Sequence, residues 1–243
     1  MNRPIRKNGV VLKEATAASR TIHALLTHVR QKGVRWVPES FGLTADGKHA
    51  LEYLDGFVAH DLPAWLWNPA ILTEVAVALR QWHAATVDFK IERPLWLFAS
   101  DEPAEVICHN DFAPYNCVFR DEHFAGLIDF DLCSPGSRLW DLAYAGYRFI
   151  PLMPDDRSRP FIEYSPFTRE VMFARLEGFL AAYSQGAPGY HYDRQALIAK
   201  LQHRLIKLGE WSEVYGRQNR DAELQDHAQM YFRHSAWLAE LLL

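Results

Sequence analysis

Two carboxylates and an amide stand beside short apolar runs in residues 105–131. Asp111 closes a His-Asn-Asp segment that directly follows the apolar run Val106–Cys108, and Pro114 prevents a simple continuation as strand or helix. Asn116 precedes a second apolar run, and Asp129 lies in a third that returns from a polar turn. The pattern predicts a loop that opens into a β-hairpin, with Asp129 at the end of the return strand.

The side chains of Asp111, Asn116 and Asp129 would then converge at one end of this hairpin. A carboxylate at a loop tip suits a general base. An amide beside a second carboxylate suits Mg²⁺, which takes few protein ligands and shares its shell with phosphates. Phosphoryl transfer needs both, a base for the hydroxyl proton and a metal for the phosphate charge. The plainer alternative is a turn followed by a solvated carboxylate.

The order of these residues resembles the aminoglycoside phosphotransferase and choline kinase superfamily. The chain reads His-x-Asp-x-x-x-x-Asn, then Ile-Asp-Phe, then Trp-Asp-Leu-Ala, and the residues that carry the resemblance are His109, Asp111, Asn116, Asp129 and the segment 140–143. By this resemblance Asp111 would be the catalytic base, and Asn116 and Asp129 would be the magnesium ligands.

The resemblance also implies a fold and an activity. The fold is α+β and protein-kinase-like with two lobes, a short β-rich N-lobe over 1–54 and a mostly helical C-lobe over 55–243. The expected reaction moves the γ-phosphate of ATP or GTP to a hydroxyl of an aminoglycoside-, choline- or amino-alcohol-like small molecule, with Mg²⁺ as cofactor. The alternative is a kinase-like binding or immunity protein that sequesters an antibiotic or peptide toxin without catalysis.

The nucleotide contacts are expected in the N-lobe. Lys13 stands in Val-Val-Leu-Lys, on the second of two predicted strands around the favoured hairpin turn Asn8-Gly9. The resemblance makes Lys13 a phosphate contact, whereas the alternative is a lysine that protects an edge strand. It also makes the segment 51–56 the hinge between lobes, with backbone contacts to adenine at Glu52 and Leu54.

Two departures from the family's pattern bear on catalysis. The predicted helix over 16–32 carries no acid that could pair with Lys13, and the chain has no Gly-x-Gly-x-x-Gly loop to cover phosphates. Phosphate binding would then fall to Lys13 and the metal, with Arg6 or Lys7 as further candidates. Asp131, on the same predicted strand face as Asp129, is an alternative metal contact.

Helical periodicity predicts the elements that must support this site. Apolar residues recur at helical spacing in four further segments, and the first is apolar almost all round, as a buried helix is. Asp141 lies at the start of another helix, where an acid is stabilised, and is expected to be structural. The four segments are 69–86, 169–184, 193–215 and 221–242.

Composition limits the possible classes. The 243 residues are 49% hydrophobic, enough for one large core or two small ones, and no apolar run is long enough to span a membrane. A net charge of −4 argues against general nucleic-acid binding. The three cysteines do not have the spacing of a zinc site, and the N-terminal residues lack the apolar core of a signal sequence. Both observations favour a reduced, cytoplasmic protein. A small-molecule acceptor is the expected partner, and the chain is expected to be a monomer or homodimer.

Charge distribution bears on the acceptor. Residues 1–36 hold eight Lys or Arg against the single acid Glu14, whereas the rest of the chain is acidic. This asymmetry would suit a polyphosphate on one side and a cationic acceptor on the other, and ordinary surface charge is the alternative. One acidic, aromatic cluster could hold such a cation, or could simply be surface and core: Glu210, Trp211, Glu213 and Tyr215.

Overall fold

A computed structural model of the chain describes residues 4–98, 101–155, 165–185 and 189–242. It combines α-helices with small antiparallel sheets, so the α+β class is confirmed. The chain divides into two compact units between Asp141 and Leu142. The predicted boundary after residue 54 stays a prediction.

The first unit begins with a four-stranded antiparallel sheet. Asn8 and Gly9 both have positive φ, as the favoured two-residue hairpin turn requires, so the predicted turn is confirmed. Lys13 lies opposite His49 in the neighbouring strand. The strands, in the sheet order β1-β2-β4-β3, are β1 (Ile5–Lys7), β2 (Val10–Glu14), β3 (Ser40–Leu43) and β4 (Lys48–Glu52).

Helix α1 (Ser19–Gln31) covers this sheet with an apolar stripe. The stripe is fully buried and consists of Ile22, Leu25, Leu26 and Val29. The helix begins three residues later than the start predicted at Thr16, whose N–H donates instead to Ser19 Oγ. It carries no acid, as the sequence indicates.

A three-stranded sheet and a two-stranded ladder hold the loop that contains Asp111. The predicted hairpin is confirmed, but its return strand ends at Leu127. Asp129 therefore does not lie at a strand end, because its φ of 61° is left-handed and cannot continue a strand. The strands are β5 (Phe57–Val58), β6 (Val106–Cys108), β7 (Cys117–Arg120), β8 (His123–Leu127) and β9 (Ser134–Gly136), paired as β5-β7-β8 and β6-β9.

Helix α2 (Pro69–Thr86) fixes the strand that leads into this loop. The Asn68 side chain accepts a hydrogen bond from Ala70 N–H and caps the helix. Near its other end, Trp82 Nε1 donates to the carbonyl of Ile107 at 2.7 Å, and Thr86 Oγ1 accepts from Ile107 N–H at 3.2 Å. Both polar groups of this buried β6 residue are thus satisfied by one helix.

Helix α3 (Arg138–Phe149) runs across the division into the second unit. In the described residues of that unit, three further helices match the predicted ones. Each of the three begins at a side-chain cap, supplied by Thr168, Asp193 and Asp221. In the described part of the chain, no helix has the length and apolarity needed to cross a bilayer. The helices are α4 (Arg169–Ser184), α5 (Arg194–Asn219) and α6 (Ala222–Glu240).

Gly126 allows the segment before β3 to pack directly on β8. A Cβ at this position would lie 2.9 Å from the carbonyl oxygen of Trp36 and 2.7 Å from Leu54 Cδ1. The next residue, Leu127, donates its N–H to the same carbonyl at 3.2 Å. Backbone meets backbone here, so the contact has little capacity to adjust.

We expect Gly126→Ala to lower the free energy of unfolding by about 1–3 kcal/mol, the usual cost of overpacking a closed site. Gly178→Ala is the matched control, because a Cβ added at Gly178 in α4 would meet no atom within 4 Å, and the variant should gain about 0.5–1 kcal/mol from helix propensity. Urea unfolding of both variants checks the difference, and equal stabilities would contradict the close approach at Gly126.

Candidate functional site

A buried carboxyl group holds the loop that carries Asp111. Asp141 is fully buried, and its two oxygens accept hydrogen bonds from the N–H groups of His109 at 2.8 Å and Asn110 at 2.9 Å. His83 of α2, also fully buried, places Nε2 3.1 Å from the same carboxyl group. Burial lowers the pKa of His83, so a neutral ring donates this bond. The expectation of a structural Asp141 agrees with these contacts.

The side chain of His109 connects this loop to the one that carries Asp129. Its Nδ1 accepts from Asp111 N–H at 3.2 Å, which leaves the hydrogen on Nε2, 3.2 Å from the carbonyl of Ile128. Burial lowers the pKa of His109, since desolvation outweighs the neighbouring carboxylates. The neutral imidazole therefore sets the spacing between two loops and carries no charge.

Asn110 adopts a left-handed backbone, with φ of 66°, and its side chain holds that conformation. The amide donates to Leu132 O and to Ser134 Oγ, both at 2.8 Å, while its oxygen accepts from Trp140 Nε1 at 3.1 Å. These bonds tie the Asp111 loop to the turn that follows Asp129.

The Asp111 carboxylate is half-buried and accepts a hydrogen bond on each oxygen. Tyr115 Oη donates to Oδ1 at 2.6 Å, and Asn116 Nδ2 donates to Oδ2 at 2.8 Å. The same Asn116 amide reaches the Asp111 carbonyl at 2.9 Å, and the backbone carbonyl of Asn116 accepts from Ile128 N–H at 2.8 Å. The structure thus brings the side chains of Asp111 and Asn116 into contact. Asp129 directly follows Ile128, whose N–H is bonded to Asn116.

Asp129 and Asp131 lie in the turn between β8 and β9, and both approach Lys13. Lys13 Nζ lies 2.6 Å from Asp131 Oδ1 and 3.6 Å from Asp129 Oδ1. The prediction that Asp129 and Asp131 lie on one strand face is wrong, because neither residue lies in a strand. A metal contact at Asp131 stays a prediction. Asp131 supplies the acidic partner that α1 lacks, and the Asp129 side chain stays 57% exposed.

His49, opposite Lys13 on β4, is buried and uncharged. Burial, with a smaller contribution from the nearby Lys13 charge, lowers its pKa to about 4. Its Nε2 lies 2.8 Å from Ser40 Oγ, which in turn lies 2.8 Å from His23 Nδ1 of α1. Because His49 does not carry a charge at neutral pH, it does not compete with the Lys13 ammonium for Asp131.

The predicted hinge residues lie at the end of β4. Glu52 donates its N–H to the carbonyl of Glu39 at 2.8 Å, and its carboxylate lies 3.3 Å from Arg30 Nη1. Leu54 packs against the Gly126 position. The Arg6 guanidinium lies over the ring of Tyr53, 3.5 Å from its centroid. Arg6, one of the candidates for phosphate binding, is therefore already in contact with an aromatic ring. Adenine contacts at Glu52 and Leu54 stay predictions.

The residues predicted to hold a metal have suitable chemistry for Mg²⁺. Asn116 turns its nitrogen toward Asp111, so its Oδ1 is a separate oxygen available to a cation, and Asp129 offers an exposed carboxylate. Hard oxygen ligands of this kind suit Mg²⁺ shared with phosphates. In the described ranges no three His, Cys, Asp or Glu side chains form a metal-binding group, so a metal here would rely on this amide and carboxylate.

The second unit's acidic, aromatic cluster is less suited to a cation. Trp211 and Tyr215 stack on the exposed face of α5, with centroids 5.1 Å apart. Each carboxylate already has a basic neighbour, because Glu210 lies 3.7 Å from Lys207 and Glu213 lies 2.6 Å from Arg217. The aromatic pair is present, but the acidic groups that would attract a cation are partly neutralised.

Sequence reasoning assigned no partner to His83 and no role to Tyr115. A histidine on a helix that is apolar on all sides did carry a signal, because a buried imidazole needs a hydrogen-bond partner. The Tyr115 contact with Asp111 spans four residues within the loop. No periodic pattern reveals a contact of this kind.

Comparison with known proteins gives two kinds of match. Residues 37–194 match the model of the phosphotransferase enzyme family. A trifolitoxin immunity protein from Rhizobium leguminosarum bv. trifolii is 32% identical over an alignment of 158 residues that covers 62% of this chain and 59% of that protein. The chain thus spans less than two thirds of the length of this relative.

Solved structures share the fold at low identity. A choline/ethanolamine kinase family protein from Mesorhizobium loti is 15% identical with a TM-score of 0.67, covering 98% of this chain and 84% of the other. An aminoglycoside phosphotransferase from Alicyclobacillus acidocaldarius is 16% identical with a TM-score of 0.53, covering 99% and 91%. The predicted protein-kinase-like fold is confirmed.

We expect Asp141→Ala to lower the free energy of unfolding by about 2–6 kcal/mol, because two buried N–H groups, each worth about 1–3 kcal/mol, lose their acceptor. Asp226→Ala, on the exposed face of α6, should stay within about 0.5 kcal/mol of wild type. Urea unfolding measures both. A loss at Asp141 no larger than at Asp226 would show that the carboxyl group does not hold the loop.

Proposed function

Because the chain belongs to the phosphotransferase enzyme family, we propose that it moves the γ-phosphate of ATP or GTP to a hydroxyl of a small molecule, with Asp111 as the base. The single observation that carries this proposal is the contact between Asp111 and Asn116. A half-exposed carboxylate is held at 2.8 Å by an amide whose own oxygen is left for a cation.

In the proposed reaction Asp111 receives the proton of the acceptor hydroxyl. It meets the geometric needs of a general base, since it is accessible, lies at a loop tip and is oriented by the hydrogen bond that its Oδ2 accepts from Asn116. A positioned base typically contributes ~10²–10⁴-fold to the rate. His109 supports this role by accepting from the Asp111 N–H group while remaining uncharged.

Asn116 and Asp129 would hold Mg²⁺. When bound there, the ion would neutralise charge on the transferring phosphate oxygens. Asn116 suits two tasks because its nitrogen orients Asp111 and its oxygen remains for the cation. Lys13 would contact the nucleotide phosphates as a point charge, and Asp131 would hold its ammonium in place.

The acceptor class is proposed from the family alone. Aminoglycosides, choline-like amines and amino alcohols all carry a hydroxyl together with a cationic nitrogen, and a shared fold does not choose among them. A panel of such acceptors, each incubated with ATP or GTP and Mg²⁺ and followed by phosphate transfer, addresses the choice directly.

A second candidate function is sequestration of an antibiotic or peptide toxin without catalysis. It is favoured by the 32% identity to an immunity protein and by the absence of a Gly-rich phosphate loop. The contacts of Asp111 and Asn116 favour the kinase, since sequestration needs neither a base nor magnesium ligands. A thermal shift with nucleotide that depends on Mg²⁺ would support the kinase. Tight toxin binding without any nucleotide shift would support sequestration.

We expect Asp111→Ala to reduce phosphoryl transfer at least ~10²-fold, because the proton acceptor is lost. The measurement is nucleotide turnover with an acceptor found in the panel. Asp226→Ala, the same substitution on an exposed helix face, controls for the loss of a carboxylate. Transfer by Asp111→Ala at near wild-type rate would remove Asp111 as the base.

A further prediction separates the metal from the lysine. Asp129→Asn should keep metal-independent nucleotide affinity but lose most of its increase with Mg²⁺, because the exposed carboxylate anchors the ion. Lys13→Ala should weaken binding with and without Mg²⁺, because a phosphate contact is lost. Nucleotide titrations of both variants in Mg²⁺ and in chelator give four affinities to compare with wild type.

The assignment would be wrong if Asp129→Asn responded to Mg²⁺ as strongly as wild type. Asp131→Asn is the matched comparison, since it removes the other carboxylate beside Lys13. It should leave the magnesium response intact, because Asp131 is proposed to hold the Lys13 ammonium and not the ion.

A further inference from the structure

The Tyr115 hydroxyl makes a short hydrogen bond to the Asp111 carboxylate. Tyr115 lies in the short 3-10 helix Pro114–Asn116, and its Oη donates to Asp111 Oδ1 at 2.6 Å. This distance is in the range of strong O–H···O⁻ bonds. Both side chains are partly exposed, so solvent and solutes can reach the contact.

Consecutive residues hold the two oxygens, and the proposed reaction explains the bond from Asn116 but not the bond from Tyr115. The Asn116 amide on Oδ2 is compatible with a cation on its other atom. The Tyr115 bond is different, because a base that must accept a proton from an acceptor hydroxyl already accepts a hydrogen bond from a hydroxyl of the protein itself.

We infer that the Tyr115 hydroxyl occupies the position of the acceptor hydroxyl on Asp111 Oδ1 and keeps water away from the base until an acceptor displaces it. This inference rests on the proposed phosphotransferase function. Tyr115 acts through Asp111 and is therefore a positioning residue. Its hydroxyl matches the acceptor in donor type, and its ring occupies the space beside the carboxylate oxygen.

The consequence is a bias against hydrolysis. A true acceptor gains contacts elsewhere in its site, so it can replace the phenol, whereas a water molecule has only its own hydrogen bonds to offer. In hydrolysis a water oxygen would bond to the γ-phosphorus and the bond to the β–γ bridging oxygen would break. The nucleoside diphosphate would then leave, and the water proton would pass to Asp111.

The test is acceptor-free hydrolysis of Mg·ATP and Mg·GTP by Tyr115→Phe. Phenylalanine keeps the ring and frees Oδ1, so kcat for hydrolysis should rise roughly threefold to tenfold, the effect of removing one competing hydrogen bond. KM for the nucleotide should not change, because Tyr115 is not proposed to touch it. The double variant Asp111→Ala/Tyr115→Phe should lose the gain.

Tyr147→Phe is the matched control. It also removes a phenol hydroxyl, one that lies 2.7 Å from His234 Nδ1 within the second unit, and neither residue is among those proposed for catalysis. Its hydrolysis rate should equal that of wild type. Thermal denaturation of Tyr115→Phe shows whether the variant is folded.

Three outcomes would overturn the inference. Hydrolysis by Tyr115→Phe that is unchanged, while wild type transfers phosphate to an acceptor, would remove this inference and leave the proposed function standing. Hydrolysis and transfer that fall together with thermal stability would make Tyr115 merely structural. Absence of all nucleotide turnover in wild type and variant, with every acceptor of the panel, would remove the proposed function and this inference together.

Discussion

The geometry of the site depends on one buried carboxyl group. Asp141 accepts hydrogen bonds from two consecutive backbone N–H groups, at His109 and Asn110, and so fixes the direction in which the chain reaches Asp111. Such N–H groups are costly to bury without an acceptor, and α2 contributes the His83 contact to the same carboxyl group. The loop is therefore held through its backbone, which leaves the Asp111 side chain half-exposed at the loop tip.

A second constraint is the charge around Lys13. The helix packed on its sheet has no acid, and the carboxylate that pairs with Lys13 comes instead from the turn after β8. This turn also carries Asp129, so one short segment supplies both the partner of the lysine and the proposed anchor of the metal. A sheet of four short strands thereby keeps its lysine beside the loop that carries Asp129.

Much of this arrangement could be predicted from the sequence, because local patterns determine it. Asn8-Gly9 specifies a hairpin turn, and apolar spacing specifies α2 and the three last helices. The spacing of Asp111 and Asn116 predicted that their side chains lie together, and in the structure they are in contact. Asp129 and Asp131 were harder, because an apolar run predicts a strand but does not reveal a left-handed φ that ends it. The partner of His83 lies 58 residues away in sequence, beyond the reach of any local pattern.

On the proposed function, the lack of a Gly-rich loop couples nucleotide binding to the metal. Lys13 is the basic group placed beside Asp129, and it already lies between two carboxylates. A triphosphate that approached without a cation would meet those carboxylates as well as the lysine, and like charges at short range oppose binding. A cation on Asp129 would offset one of these charges and leave the ammonium to the phosphates. A kinase with a full phosphate loop has backbone N–H groups for this purpose, whereas on the proposed function this chain would use Lys13, Asp131 and the ion.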